Sequence, residues 1–152
     1  MKEEIFREIF MSLPLACLVL KPVKTGFFVK DVNKAFCQTV SRRKKDLLGA
    51  RIRNAFQDDL ESGEANYNVL YESLKKVLRT SKKTTTNVLR YDLWISANQE
   101  FSERYWIIEN IPVFDQDGQV KYILSCFKET PAPQPILTIS QKELVLEEVE
   151  AA

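Results

Sequence analysis

The sequence contains no histidine. That excludes a Ser-His-Asp triad, a histidine-ligated zinc and a histidine-ligated haem. It also excludes the phosphoacceptor half of a histidine kinase. Glycine is scarce: four occur in 152 residues, none in G-x-G spacing, so no Gly-rich loop cradles a phosphate. No apolar run reaches the roughly 18 residues that a membrane span needs. The start, Met1-Lys2-Glu3-Glu4, lacks the apolar stretch and small-residue cleavage site of a secretory leader. Charge of one sign is also missing. The 22 basic and 21 acidic residues leave a net +1, with no global pull toward nucleic acid or an anionic membrane. The short runs Arg42-Arg43-Lys44-Lys45 and Lys82-Lys83 have no interleaved aromatics. They read as a solvated helix end and a loop tip, not as a nucleic-acid surface. Cysteine is limited to Cys17, Cys37 and Cys126, each in an apolar context. An odd, widely spaced set predicts reduced, buried thiols and a cytoplasmic setting.

What is present suffices for a packed core. Hydrophobic residues make up 45% and aromatics 11%, so neither metal nor disulfide is required. Ile5, Phe6, Ile9, Phe10 and Leu13 form one apolar helical stripe that Pro14 ends. Residues 15–20 and 27–32 read as a hairpin around a turn at 21–26. Asn33 is placed to cap a short helix through Val40. Residues 45–48 form a further helical turn closed by Gly49. An acidic loop at 57–64 precedes a helix over 65–79. Three strands follow, at 84–96, 101–114 and 120–127, the last two joined by an Asp117-Gly118 turn. From Pro131 the proline content rises, predicting a linker. A short helix over 140–149 follows it, with Ser140 and Glu143 as a capping box. The order predicts an α+β domain over 1–130 with an antiparallel sheet, and a tail over 131–152.

Four stretches resemble the PAS family, and in particular the bacterial PAS domains that precede histidine kinases. They are Asp31-Val32-Asn33-Lys34-Ala35-Phe36, Lys45-Asp46-Leu47-Leu48-Gly49, the pair Arg90-Tyr91-Asp92 with Glu103-Arg104-Tyr105-Trp106, and Pro112 to Gly118. Each is weak alone; their order and spacing over residues 5–130 are specific. The resemblance implies a five-stranded antiparallel sheet in order 2-1-5-4-3, helices cupped over one face, and an N-terminal amphipathic helix. It implies sensing or dimerisation upstream of a kinase or other effector, in cis or in trans. Where relatives carry Gly and then Ser ahead of the second stretch, this chain has Ser41 and Arg43, so the usual N-cap is missing and that short helix is expected to fray.

Within such a fold the chemistry has two readings. A small-molecule pocket draws on Phe36, Val40, Leu48, Ile52, Phe56, Leu74, Tyr91 and Tyr105, with Arg90 or Arg104 receiving a carboxylate. The plainer reading has the apolar residues fill the core and the arginines pair with Asp92 or Glu103 across strands. The plainer reading is preferred. Cofactor chemistry is not expected. Cys37 does not sit in the Asn-Cys-Arg-Phe-type motif of flavin-binding members, and haem-binding members use histidine. An unidentified small ligand stays open. Trp94 and Trp106 read either as partner anchors or as cover for the sheet. The stripe at Ile5, Phe6, Ile9, Phe10 and Leu13 either folds onto its own sheet or pairs with its copy in a homodimer. Nothing marks an enzyme, since Asp58, Asp59 and Glu61 lie in a predicted exposed loop.

Overall fold

The computed structural model describes residues 2–55, 63–95 and 99–133. Phe56, most of the acidic stretch, the linker beyond residue 133 and the predicted helix at 140–149 lie outside the described residues. So do the side chains of 63–65, 94 and 95.

Helix α1 (Lys2–Ser12) leads into a hairpin of β1 (Ala16–Val23) and β2 (Gly26–Val32). Two short helices, α2 (Lys34–Val40) and α3 (Lys44–Leu47), and a 3-10 turn (Ile52–Ala55) cross to the long helix α4 (Gly63–Thr80). The second half is β: β3 (Thr84–Thr85), β4 (Leu89–Arg90), β5 (Leu93–Ile95), β6 (Glu100–Ser102), β7 (Tyr105–Phe114) and β8 (Val120–Thr130). All pairings are antiparallel, in the order β2-β1-β8-β7-β3, with β4 further along the same edge of β7. Counting 84–96 as one strand, this is the order 2-1-5-4-3 that the resemblance implies.

The α2 start is set by Asn33. Its Oδ1 accepts from the Phe36 N–H at 2.9 Å and from the Cys17 N–H at 3.0 Å, and its Nδ2 donates to the Leu15 carbonyl at 2.8 Å. One fully buried side chain therefore caps a helix and ties it to β1. The helix ends at Ser41 in the left-handed region (φ 54°). Arg43 stands at the N-cap of α3 with no side-chain cap bond, as expected. Leu47 is nevertheless fully buried, so the missing cap does not keep α3 out of the core.

Strand 84–96 is not continuous, contrary to expectation. At Thr86 a hydroxyl takes the place of a backbone carbonyl: Oγ1 accepts from the Ile108 N–H at 3.0 Å, while the Thr86 N–H donates to the Ile108 carbonyl at 2.9 Å. The chain leaves β7, rejoins it at Leu89–Arg90, and leaves again at Asp92. The predicted strand 101–114 breaks at the matching place, between β6 and β7. Beyond the break β5 and β6 form their own ribbon.

The core lies between the sheet and α2, α3, the 3-10 turn and α4. Leu18, Leu20, Val32, Phe36, Leu47, Leu74, Val77 and Ile123 are each 0% exposed. Burying such a side chain contributes roughly 1.5–3 kcal/mol. Strand alternation sends Ala16, Leu18 and Leu20 of β1 inward, with Trp106, Ile108, Ile123 and Phe127. The other face carries Cys17, Val19, Ile107, Glu109, Leu124 and Cys126. None of the residues of helix α1 is itself buried, and the helix lies against α2. No helix among the described residues is long and apolar enough to cross a membrane.

Candidate functional site

The predicted pocket residues separate into three groups. Phe36, Val40, Ile52 and Leu74 converge inside the cup and are buried. Phe36 meets Phe127 edge to face, with ring centroids 5.4 Å apart. Tyr91 packs half-buried against this cluster. Leu48 does not join it: it is 42% exposed, because the four-residue α3 turns only Leu47 inward. Arg90 and Tyr105 lie opposite each other in register, beside Leu89 and Trp106, which point inward. Alternation therefore puts Arg90 and Tyr105 on the outer face, not in the cup. Arg104 sits at the rim, where Nη1 reaches Glu129 Oε1 at 2.7 Å and Nε reaches Ser102 Oγ at 3.1 Å. None of the candidates lines the open groove of about 430 Å³ between α4 and β3, where Lys76, Arg79 and Lys83 surround Ser73 and Thr84.

The two motif stretches at 90–92 and 103–106 lock onto each other. Arg90 holds Asp92 with two bonds, Nε to Oδ1 at 3.1 Å and Nη2 to Oδ2 at 3.0 Å. Its Nη1 reaches Glu103 Oε1 at 3.2 Å, and Tyr105 Oη donates to the same oxygen at 2.9 Å. The Arg104 N–H donates to Asp92 Oδ1, the Tyr91 N–H to the Arg104 carbonyl, and Trp106 Nε1 to the Tyr91 carbonyl at 3.0 Å. Asp92 is 7% exposed. The Arg90 guanidinium, with help from the Arg104 N–H, holds its carboxyl below the usual carboxylate range. Asp92, and after it Glu103, in turn raise Arg90, and the Glu103 carboxylate raises the Tyr105 hydroxyl. Arg90 pairs across strands with Glu103, as the plainer reading has it, and along its own segment with Asp92; Arg104 turns to Glu129 instead. The cluster joins the two bends and ties all three guanidinium nitrogens of Arg90 to Asp92 and Glu103.

A buried polar chain was not foreseen from the sequence. Ser125 Oγ donates to Asn110 Oδ1 at 2.6 Å, and Asn110 Nδ2 donates to Ser73 Oγ at 3.0 Å. Ser73 Oγ lies 2.7 Å from Thr84 Oγ1. Asn110 and Ser125 are 0% exposed. The chain links β8, β7, α4 and β3 through the floor of the cup. Its signal was legible: Asn110 falls in phase with Trp106 and Ile108, and Ser125 in phase with Ile123 and Phe127. Polar residues at in-facing strand positions need buried partners.

Of the thiols, Cys17 and Cys126 are buried as expected, while Cys37 is only half-buried. Cys37 lies on α2 within the field of Asp31 and Lys44, and burial raises its thiol.

No protein-family model and no curated protein sequence matches the chain. Solved structures do. The PAS domain of a protein from Colwellia psychrerythraea superposes with a TM-score of 0.62 at 12% identity, over 86% of this chain and 98% of that one. The Rhodobacter sphaeroides LOV protein gives 0.62 at 18% identity, over 99% and 76%. A sensory box sensor histidine kinase structure from Vibrio cholerae gives 0.55 at 15% identity, over 86% and 94%. The chain has the PAS fold.

Proposed function

We propose that this chain is a cytoplasmic sensory or regulatory module of a signalling protein, which passes a change at its cup or its dimer contact to an attached or partner effector such as a kinase. The observation that carries this reading is where the two chain exits lie. Ala16 pairs with Phe127, so α1 enters β1 and the tail leaves β8 at the same end of two adjacent central strands. A shift between those strands moves both exits together. The mechanism is a population shift: an input favours one arrangement of sheet and flanking helices in proportion to its differential affinity for it.

Dimerisation through α1 is the favoured input. Ile5, Phe6 and Ile9 are 54%, 69% and 55% exposed on one helix whose own sheet does not cover them. Such a stripe is satisfied by a second copy. The rival reading, a ligand in the cup, has less support among the described residues. Phe36, Val40, Ile52 and Leu74 are packed against one another and the sheet, as a core is. We read the cup as holding no flavin, and the packing of its described residues supports that reading. Phe36 is fully buried against Phe127. A ligand-free interaction module is the second reading.

Light scattering with native mass spectrometry on the full chain tests both. The expected result is a dimer without bound small mass. Phe6→Glu with Phe10→Glu is expected to halve the mass in solution. An unchanged dimer would sink the α1 reading, and a bound small mass would restore the ligand-sensing one.

A further inference from the structure

Cys17 of β1 stands directly opposite Cys126 of β8. Their sulfurs are 3.4 Å apart, and the residues are 1% and 7% exposed. The backbone around them fixes the kind of site this is. The Cys17 N–H donates to Asn33 Oδ1, and the Cys17 carbonyl accepts from the Asn33 N–H at 3.1 Å. Both polar groups of Cys17 therefore point toward β2, and none toward β8. Across to β8 the pair is a non-hydrogen-bonded one, in which opposed Cα atoms lie about 4.5 Å apart and side chains come closest. A disulfide requires Cα atoms roughly 4.4–6.8 Å apart and Cβ atoms about 3.5–4.5 Å apart. A non-hydrogen-bonded pair thus falls within the Cα range that a disulfide needs.

Buried cysteine is ordinarily a small apolar filler. Filling alone does not call for two thiols facing each other. The next pair on the same face, Val19 opposite Leu124, fills its place with branched carbon. The third cysteine is on α2, away from this ladder.

We propose that Cys17 and Cys126 form a two-electron redox pair that hydroperoxides convert to a cross-strand disulfide, fastening the start of β1 to β8. The Cys17 S–H donates to the Cys126 sulfur. That bond lowers the Cys126 thiol and, together with burial, raises Cys17 far above the ordinary range. Cys126, the more exposed of the two at 7% against 1%, is the attacking sulfur. It bonds to the terminal oxygen of the hydroperoxide; the O–O bond breaks, and the alcohol (water, from hydrogen peroxide) departs with the Cys126 proton. Cys126 is left as a sulfenic acid. The Cys17 sulfur then bonds to it, the S–O bond breaks, and hydroxide leaves with the Cys17 proton as water. In sum two thiols lose two hydrogens, and one hydroperoxide becomes an alcohol and a water. The bond ties the strand entered from α1 to the strand that runs out to Pro131. It does not depend on any sensory role for the chain.

The test is peptide mapping of the folded full chain after hydrogen peroxide treatment and alkylation of the remaining thiols. The expected product is a peptide pair joined through Cys17 and Cys126, lighter by two hydrogens and released by dithiothreitol. It should form equally in a Cys37→Ser variant. The thermal midpoint should rise by about 10 °C on oxidation and fall back on reduction, since the bond closes a loop of roughly 100 residues. Recovery of Cys17 and Cys126 both alkylated, after treatment that has consumed Cys37, would overturn the proposal. So would a linkage found only between chains.

Discussion

Asn33 carries more than its size suggests. It supplies the N-cap of α2, satisfies the Cys17 N–H and holds the Leu15 carbonyl, all at 0% exposure. Asn33→Ala removes a cap worth about 1 kcal/mol and leaves buried backbone groups without partners. The expected loss is about 3 kcal/mol, read as a lower urea midpoint with an unchanged slope. Asp92 gives a pH signature. Its carboxyl is depressed by Arg90 first and the Arg104 N–H next. A depressed carboxyl contributes stability that is present above its unfolded value, about 3.9, and is lost as pH falls through its folded value. Asp92→Asn should therefore cost about 1 kcal/mol at neutral pH, kept small because Arg90 is half exposed and screened. The gap between variant and wild type should close in acid below about pH 4. A gap that persisted there would mean packing, not charge, is what Asp92 supplies.

At the scale of elements, two of the three residues that join α2 to α3 are ones that local preference disfavours. Ser41 holds a left-handed conformation (φ 54°), and Arg43 has N-cap backbone geometry with no capping oxygen. The Arg43 pair with Asp46 is largely exposed and contributes little. Ser41→Gly with Arg43→Ser is expected to stabilise the fold by about 1 kcal/mol, measured as a higher urea midpoint; a lower midpoint would refute it. Both positions were legible in the sequence, as were the Asn33 cap, the Gly49 closure and the Asp117-Gly118 turn. Each depends on a few neighbouring residues. The breaks in strand 84–96 were not legible, because their causes are remote: the Ile108 N–H takes Thr86 Oγ1, and the Arg104 N–H takes Asp92 Oδ1. Leu48 was misplaced for a related reason. In a four-residue helix, periodicity cannot choose between adjacent leucines. Arg90 and Tyr105 went to the wrong face because face assignment needs the register against β7, which only pairing reveals. Asn110 and Ser125 were missed because the strand reading tallied apolar positions and passed over the polar ones in phase with them.

Over the whole molecule, α1 and the sheet domain are separable in energy. The helix has no buried residue, whereas the domain core is complete without it. A chain beginning at Leu13 is expected to keep its thermal midpoint to within about 5 °C while losing self-association, checked by calorimetry and light scattering on one sample. A collapse of the midpoint would show that the helix belongs to the fold. The same layout explains why fold class was readable while the role of the cup was not. The alternating segments mark the strands and the resemblance of the four motifs implies their order, but the same apolar residues serve a filled core and a ligand cavity alike.

The adjacency of Ala16 and Phe127 has a topological corollary. The two exits leave neighbouring strands one spacing, about 4.8 Å, apart. A short glycine-serine tether can close that gap, and the chain can be reopened at Gly118, where a left-handed turn (φ 80°) meets open space. The polypeptide is in effect a loop cut at an arbitrary point, and a circularly permuted version reaches the same sheet from a different first residue.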